Sequence, residues 1–339
     1  MLLSRLGDLT ADSTPLTLTD LPVPAPQADE VLVRVAACGV CHTELDEIEG
    51  RLAPSSLPRV LGHQAVGRVD QLGAEVKGLK MGDRVGVAWV FRTCGVCAFC
   101  TTGRENLCGR FEATGRDADG GYAEYLTVPA AFTHPLPSTL SDLDAAPLLC
   151  AGAIGYRSLR LTGLTNGEPL GLTGFGASGH LVLKLAAHDY PDSPIFVFAR
   201  NAEERAFAHE LGAAWTGGTE NTPPAQMQAI IDTTPAWRPI LRALEHLQPG
   251  GRLVINAIRK ESVDHDVLSE LDYPRHLWRE KEIKSIANVT RQDVREFLAR
   301  AAAIPIRPRI ERYPLERANE ALADLKARRV RGAKVLEIG

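Results

Sequence analysis

The chain has 339 residues, 45% of them hydrophobic and 24% charged, with a formal net charge of −4. That length suits two domains of ordinary size, each burying its own core, and the near-balanced charge gives nucleic acid or an anionic membrane no electrostatic reason to bind. No run reaches the roughly 18 apolar residues of a membrane-spanning helix; Asp8, Asp12 and Asp20 stand where a signal peptide would be apolar, so a cytoplasmic location is expected.

Residues 1–149 are expected to form a β-barrel-like domain, because short β-branched runs such as Val31 to Val35, Ala65 to Val69 and Arg84 to Val87 alternate with Gly and Pro. Near Cys150 the pattern changes. From there to 287, apolar runs of strand length alternate with helical stretches, as in a doubly wound parallel sheet. Expected strands are Pro169 to Thr173, Ile195 to Ala199, Ala229 to Ile231, Leu253 to Ile255 and Ile283 to Ala287. Expected helices are Gly179 to His188, Ala202 to Leu211 with Gly212 as its cap, and Trp237 to Leu247 closed by Pro249, Gly250 and Gly251. Glu261 to Glu280 has no clear period. Residues 288–339 open with a helix over Arg291 to Ala302 and are expected to return to the first domain.

Seven cysteines in a reducing compartment are free thiols, so clustering turns them into candidate metal ligands. Cys94, Cys97, Cys100 and Cys108 follow C-x2-C-x2-C-x7-C, which predicts a closed tetrahedral zinc site that orders a lobe at about 90–110. Cys41, His63 and Cys150 are scattered. Taken singly, Cys41 could pair with Cys38 as a redox C-x-x-C, His63 could be a core histidine, and Cys150 a small buried hydrophobe.

Gly174-Phe175-Gly176-Ala177-Ser178-Gly179 matches G-x-G-x-x-G between an apolar strand and a helix, the context in which backbone amides approach a dinucleotide pyrophosphate. About twenty residues on, where a carboxylate would bind the ribose 2′-hydroxyl of NAD, the chain has Ala199-Arg200. A guanidinium there suits a 2′-phosphate, so NADP(H) is expected in preference to NAD(H), with a solvated Arg200 as the bland reading.

Taken in order, Gly39 to Leu45, Gly62-His63, Gly82 to Val85, the four-cysteine lobe, Gly120 to Tyr125, Pro147 to Gly152 and the glycine fingerprint resemble the zinc-containing alcohol dehydrogenases of the medium-chain dehydrogenase/reductase superfamily. The resemblance runs over nearly the whole chain. It implies an α/β architecture: a GroES-like β-barrel catalytic domain and a Rossmann cofactor domain. It implies two zinc ions per chain, a catalytic one on Cys41, His63 and Cys150 and a structural one on the lobe, and hydride transfer between a primary or secondary alcohol, or its aldehyde or ketone, and NAD(P). A homodimer or homotetramer is implied as well.

The same resemblance gives the first proton step to Thr43 and a cofactor-pyrophosphate contact to His42 and Lys334, both of which also read as ordinary surface residues. Thr43 and Asp46 have a second reading as a T-x-x-D capping box before a short helix ending near Gly50. Two positions depart from the family. Gln64 stands where Glu usually follows the second ligand, and Asp46 stands where many relatives have His, leaving Asp46 as an acceptor or a cap. Trp89, Val90 and Phe91 suit either a pocket wall or core packing, so a cinnamyl-alcohol-like aldehyde reductase is a close variant. A zinc-binding redox sensor or scaffold is the reading from another class.

Overall fold

The computed structural model describes every residue except 10–13, 305, 328 and 330; Asp12 therefore lies outside the described residues. The chain divides into two compact units, Met1–Ala153 with Val289–Gly339, and Ile154–Asn288. No helix among the described residues is long and apolar enough to cross a membrane.

In the first unit the long strand Glu30–Val40 is the organiser. Its Val31, Leu32, Val33 and Val35 are all buried and Arg34 is its one exposed residue, as a β-branched strand covered on both faces requires. One edge pairs antiparallel with Ala65–Leu72; the other pairs first with Tyr125–Pro129 and then with Ala333–Glu337, which brings the end of the chain onto this sheet. Arg84–Val87 and Thr133–Pro135 extend one side, and Ile310–Pro314 extends the other. The register sets Cys38 opposite Ala65 and links Gly39 N–H to the Gln64 carbonyl, so the chain leaving at Cys41 passes beside His63.

The second unit is a six-stranded parallel sheet. Its strands are β1 (Leu170–Thr173), β2 (Ile195–Phe198), β3 (Trp215–Gly217), β4 (Met227–Asp232), β5 (Leu247–Ile255) and β6 (Glu282–Ser285), in the spatial order 3-2-1-4-5-6. That order reverses beside β1, the switch point where open α/β sheets bind ligands. β1 and β2 are buried throughout, as a sheet covered on both faces requires.

Some local expectations need correction. Strand Trp215–Gly217 is too short and polar to show a period, and it went unpredicted. Pro249, Gly250 and Gly251 do not close the helix, which ends at His246. They lie within β5, where Gly250 takes φ +71° and the ladder with β4 skips between Met227 and Ala229, so the Pro-Gly-Gly run makes a bulge. The aperiodic stretch 261–280 holds a 3₁₀ segment, His265–Glu270, and a one-turn helix, Tyr273–His276.

Candidate metal centre and dinucleotide site

Cys41 is the residue between Val40 and the short helix α1 (His42–Ile48), and it is that helix's N-cap. Its side chain accepts from the backbone at Glu44, and the Glu44 carboxylate accepts from Cys41 N–H at 2.8 Å. The capping box is therefore Cys41 with Glu44, a thiol in the role usually taken by a hydroxyl. This displaces the Thr43/Asp46 box. Thr43 lies inside the first turn, its Oγ1 3.7 Å from Cys41 Sγ, and the buried Asp46 accepts from Arg51 Nε at 2.5 Å.

Glu44 also reaches His63. Its Oε1 lies 2.6 Å from His63 Nδ1, with both side chains wholly buried. A carboxylate on Nδ1 fixes the ring and leaves Nε2 for a metal. Cys150 arrives from far along the chain on a single π-turn, Leu148–Gly152, the wide-turn irregularity that often accompanies a functional side chain. Ligand atoms of Cys41, His63 and Cys150 lie within 4.8 Å of one another. Two sulfurs and one imidazole form a borderline-soft donor set that suits zinc and leaves a fourth position in a tetrahedron.

The proton distribution fits such a cluster. A hydrogen bond from Cys150 holds the Cys41 thiol well below its ordinary value against the cost of burial, with His63 adding to the effect. Cys150, the partner that keeps the proton, is pushed well up by that bond and by burial. Burial disfavours charge on His63, but Glu44 and Cys41 outweigh it and hold its pKa well above the usual value. Cys38 is buried in the core, its thiol raised mainly by desolvation, and it belongs to neither metal cluster. Gln64 is buried over Gly39, where a Cβ would meet Gln64 Oε1 at 2.7 Å.

The second cluster is local. Cys94, Cys97, Cys100 and Cys108 also bring their sulfurs within 4.8 Å, and all are free thiols. Backbone amides aim at these sulfurs: Cys97 N–H donates to Cys94 at 3.3 Å, and Arg110 N–H to Cys108 at 3.4 Å. Amides of Val96 and Cys97, with Arg110, lower Cys94 to about 5, whereas desolvation, joined by Cys97 and Cys108, raises Cys100 to about 11.

In the second unit the glycine fingerprint has a distinct physical reason at each position. Gly174 takes φ +83°, which a side chain resists, and a Cβ there would meet Thr233 Oγ1 at 2.6 Å. Gly176, the N-cap of α2 (Ala177–Asp189), has nothing within 4 Å of a would-be Cβ, the open space a pyrophosphate needs to approach the amides of Ala177 and Ser178. Gly179 packs helix on strand, its would-be Cβ 2.8 Å from Gly174 O. The buried His180 ring donates Nδ1–H to Gly176 O at 3.1 Å, and burial lowers its pKa to about 4, so it stays neutral.

Residues 27–138 match the family described as alcohol dehydrogenase GroES-like domain, and residues 203–336 the family described as zinc-binding dehydrogenase. Over 333 residues the chain is 45% identical to the probable alcohol dehydrogenase AdhA of Mycobacterium tuberculosis, covering 96% of this chain and 94% of that one. The chain belongs to the zinc-type medium-chain alcohol dehydrogenases. Its fold is similar to a cinnamyl alcohol dehydrogenase of Sorghum bicolor (26% identity, 98% and 96% coverage, TM-score 0.85) and to an NAD-dependent alcohol dehydrogenase (25%, 100% and 99%, TM-score 0.87).

This dehydrogenase is thus an oxidoreductase of the alcohol/aldehyde pair, with a GroES-like domain and a parallel-sheet Rossmann domain. Its remaining expected site residues sit in different settings. His42 and Arg200 are exposed. Arg205, which the sequence reading passed over, donates Nη1 to the carbonyls of Ala199 and Arg200, fixing the backbone just past β2. Lys334 is no surface lysine: its ammonium is buried in the first unit, bonded to Glu311 and to the Tyr313 hydroxyl at 2.6 Å each. These bonds use two of its three donors, and the side chain is wholly buried. Val90 and Phe91 belong to the hydrophobic core, and the Trp89 ring packs against Phe111 with centroids 4.9 Å apart and planes tilted by 44°.

Proposed function

We propose that Cys41, His63 and Cys150 hold a catalytic zinc and Cys94, Cys97, Cys100 and Cys108 a structural one, two ions per chain, in an enzyme that interconverts alcohols with aldehydes or ketones using NADP(H) in preference to NAD(H). The observation that carries this is the convergence of three ligands, distant in sequence, around a His63 whose ring Glu44 has already oriented. Zinc, when bound, supplies Lewis acidity toward the substrate oxygen, and the nicotinamide supplies or accepts the hydride.

The chain's own residues do the rest. Glu44 holds the tautomer of His63 and the backbone of Cys41 with its two oxygens, so one carboxylate sets two ligands. The Thr43 hydroxyl, which both donates and accepts, takes up the alcohol proton. Asp46, one turn further along α1, is the next acceptor, its carboxylate oriented by the Arg51 guanidinium. The four-cysteine lobe has no open vertex and orders its own loop, with Val96 and Phe99 left exposed.

The second unit holds the dinucleotide at Gly174, Gly176, Ala177, Ser178 and Gly179. Ala199 offers no carboxylate at the end of β2, and the exposed Arg200 stands beside it to meet a 2′-phosphate. The four residues of β6 are exposed at the sheet edge, with Trp278 and Tyr273 exposed nearby in sequence; these features support a homodimer or homotetramer. Seven free thiols suit the cytoplasm.

The test is a panel of alcohols and aldehydes run with NAD(H) and NADP(H), before and after chelation, with zinc counted. Two zincs, chelator-sensitive turnover and a lower KM for NADP(H) are expected. Turnover that survives loss of both zincs would overturn the assignment.

A further inference from the structure

The loops that follow β4 and β5 at the carboxyl edge of the parallel sheet are joined by a buried polar zipper whose centre is a charge pair. Asp232, the last residue of β4, is wholly buried. Its Oδ1 accepts from Thr173 Oγ1 at 2.5 Å and from Thr234 Oγ1 at 2.8 Å, and its Oδ2 accepts from Lys260 Nζ. The Lys260 ammonium also donates to the carbonyls of Thr234 at 2.7 Å and Ala236 at 3.1 Å, which uses all three of its donors.

Backbone and side-chain bonds continue the zipper on both sides. Asn256 N–H donates to Asp232 O at 2.8 Å and Glu261 N–H to Pro235 O at 2.7 Å. Further on, the Asp264 carboxylate accepts from the amides of Trp237 and Arg238, at 2.9 and 2.8 Å. The segment 232–238 is thereby fastened to 256–264.

This fastened segment touches the glycine turn. Thr233 donates both N–H and Oγ1 to Thr173 O, at 2.9 and 3.0 Å, and it is Thr233 that a side chain at position 174 would strike. A buried ion pair is by itself weak evidence for stability, since apolar residues of like volume often hold a fold as well. An ammonium spent on a carboxylate and two loop carbonyls is instead a device for setting geometry, and the carboxyl ends of parallel strands are where ligand geometry matters.

We propose that Lys260, through Asp232, is a positioning residue for the dinucleotide: it pins the loop after β5 to the loop after β4 and so presets the wall behind the Gly174 turn. This rests on the reading of that turn as the dinucleotide site. The test compares wild type, Lys260→Met and the charge-free double variant Asp232→Asn/Lys260→Met. It measures NADPH and NADH Kd by fluorescence titration without substrate, thermal midpoint, and hydrogen exchange over 232–238 in the cofactor-free chain.

Lys260→Met is expected to lower the midpoint, speed exchange in that segment and weaken cofactor binding about tenfold or more, the scale of one lost charged hydrogen bond. Cofactor KM should rise with kcat and alcohol KM little changed. Removing Asp232's charge as well should recover the midpoint but not the affinity, because Thr234 and Ala236 still lack their donor. A double variant that recovers its midpoint and binds cofactor as tightly as wild type would overturn the proposal. Wild type that binds neither dinucleotide would instead overturn the functional reading beneath it.

Discussion

The two thiol-rich clusters of the first unit reach similar compactness by opposite routes. In the lobe, four sulfurs separated by a few residues converge within one loop, so local chain geometry alone closes the site. In the other cluster a strand end, a loop and a π-turn must be brought together by the whole sheet before Cys41, His63 and Cys150 meet. A local site stabilises its own loop, whereas a distributed site draws its geometry from a fold that exists without it. The first should therefore be sensitive in stability and the second in activity.

The largest expected effects break that comparison directly. Cys150→Ser should abolish turnover and remove one zinc of two while leaving the thermal midpoint nearly unchanged. Cys97→Ser should remove the other zinc and lower the midpoint, because the lobe then lacks the metal that orders it. Zinc analysis with calorimetry on both variants checks this, and a reversal of the two patterns would refute the division of roles.

Glu44→Gln comes next. Removing an outer carboxylate from a ligating histidine costs about 10–100-fold in metal affinity or activity, and here the same change also loosens the cap at Cys41. A competition titration with a zinc chelator measures it. A pH effect follows from the direction of the shifts. Cys150 and His63 both hold protons above their usual values in the metal-free cluster. Zinc must displace those protons, so affinity at this site should rise as pH rises through neutrality. A flat pH dependence would contradict the assignment of these ligands.

In the other unit, Arg200→Ser should weaken NADP(H) by about 10–100-fold, the scale of a charged hydrogen-bond pair, and leave NAD(H) nearly unaffected. The ratio of the two kcat/KM values reports it. Gln64→Glu carries the smallest expectation, a modest fall in zinc electrophilicity seen as a shift in the pH profile of turnover. Identical profiles would show that the residue after His63 is indifferent.

How much was legible in the sequence follows from the same local/distributed contrast. The four-cysteine spacing, the glycine fingerprint and the long apolar strands are local patterns, and the structure has the strands and the clustered sulfurs in place. The meeting of Cys41, His63 and Cys150 came only through resemblance, because no spacing rule joins residues on three separate elements. Glu44 was missed for a chemical reason: a thiol is not an expected N-cap, so the box was framed two residues too late, on Thr43 and Asp46. The burial of Lys334 was not legible, because its partners Glu311 and Tyr313 come from a neighbouring strand. The Lys260 pin shares that problem, being set by loops that meet only once the parallel sheet is assembled, whereas Arg205 bonds carbonyls five and six residues back and carries no motif that marks it.

The most direct test of the account is anomalous diffraction at the zinc edge from crystals of the metal-loaded chain. It should show an ion about 2.3 Å from the sulfurs of Cys41 and Cys150 and about 2.0–2.1 Å from His63 Nε2, with no fourth ligand supplied by the protein. An ion absent from that cluster, or one whose remaining position is filled by a protein side chain, would contradict it.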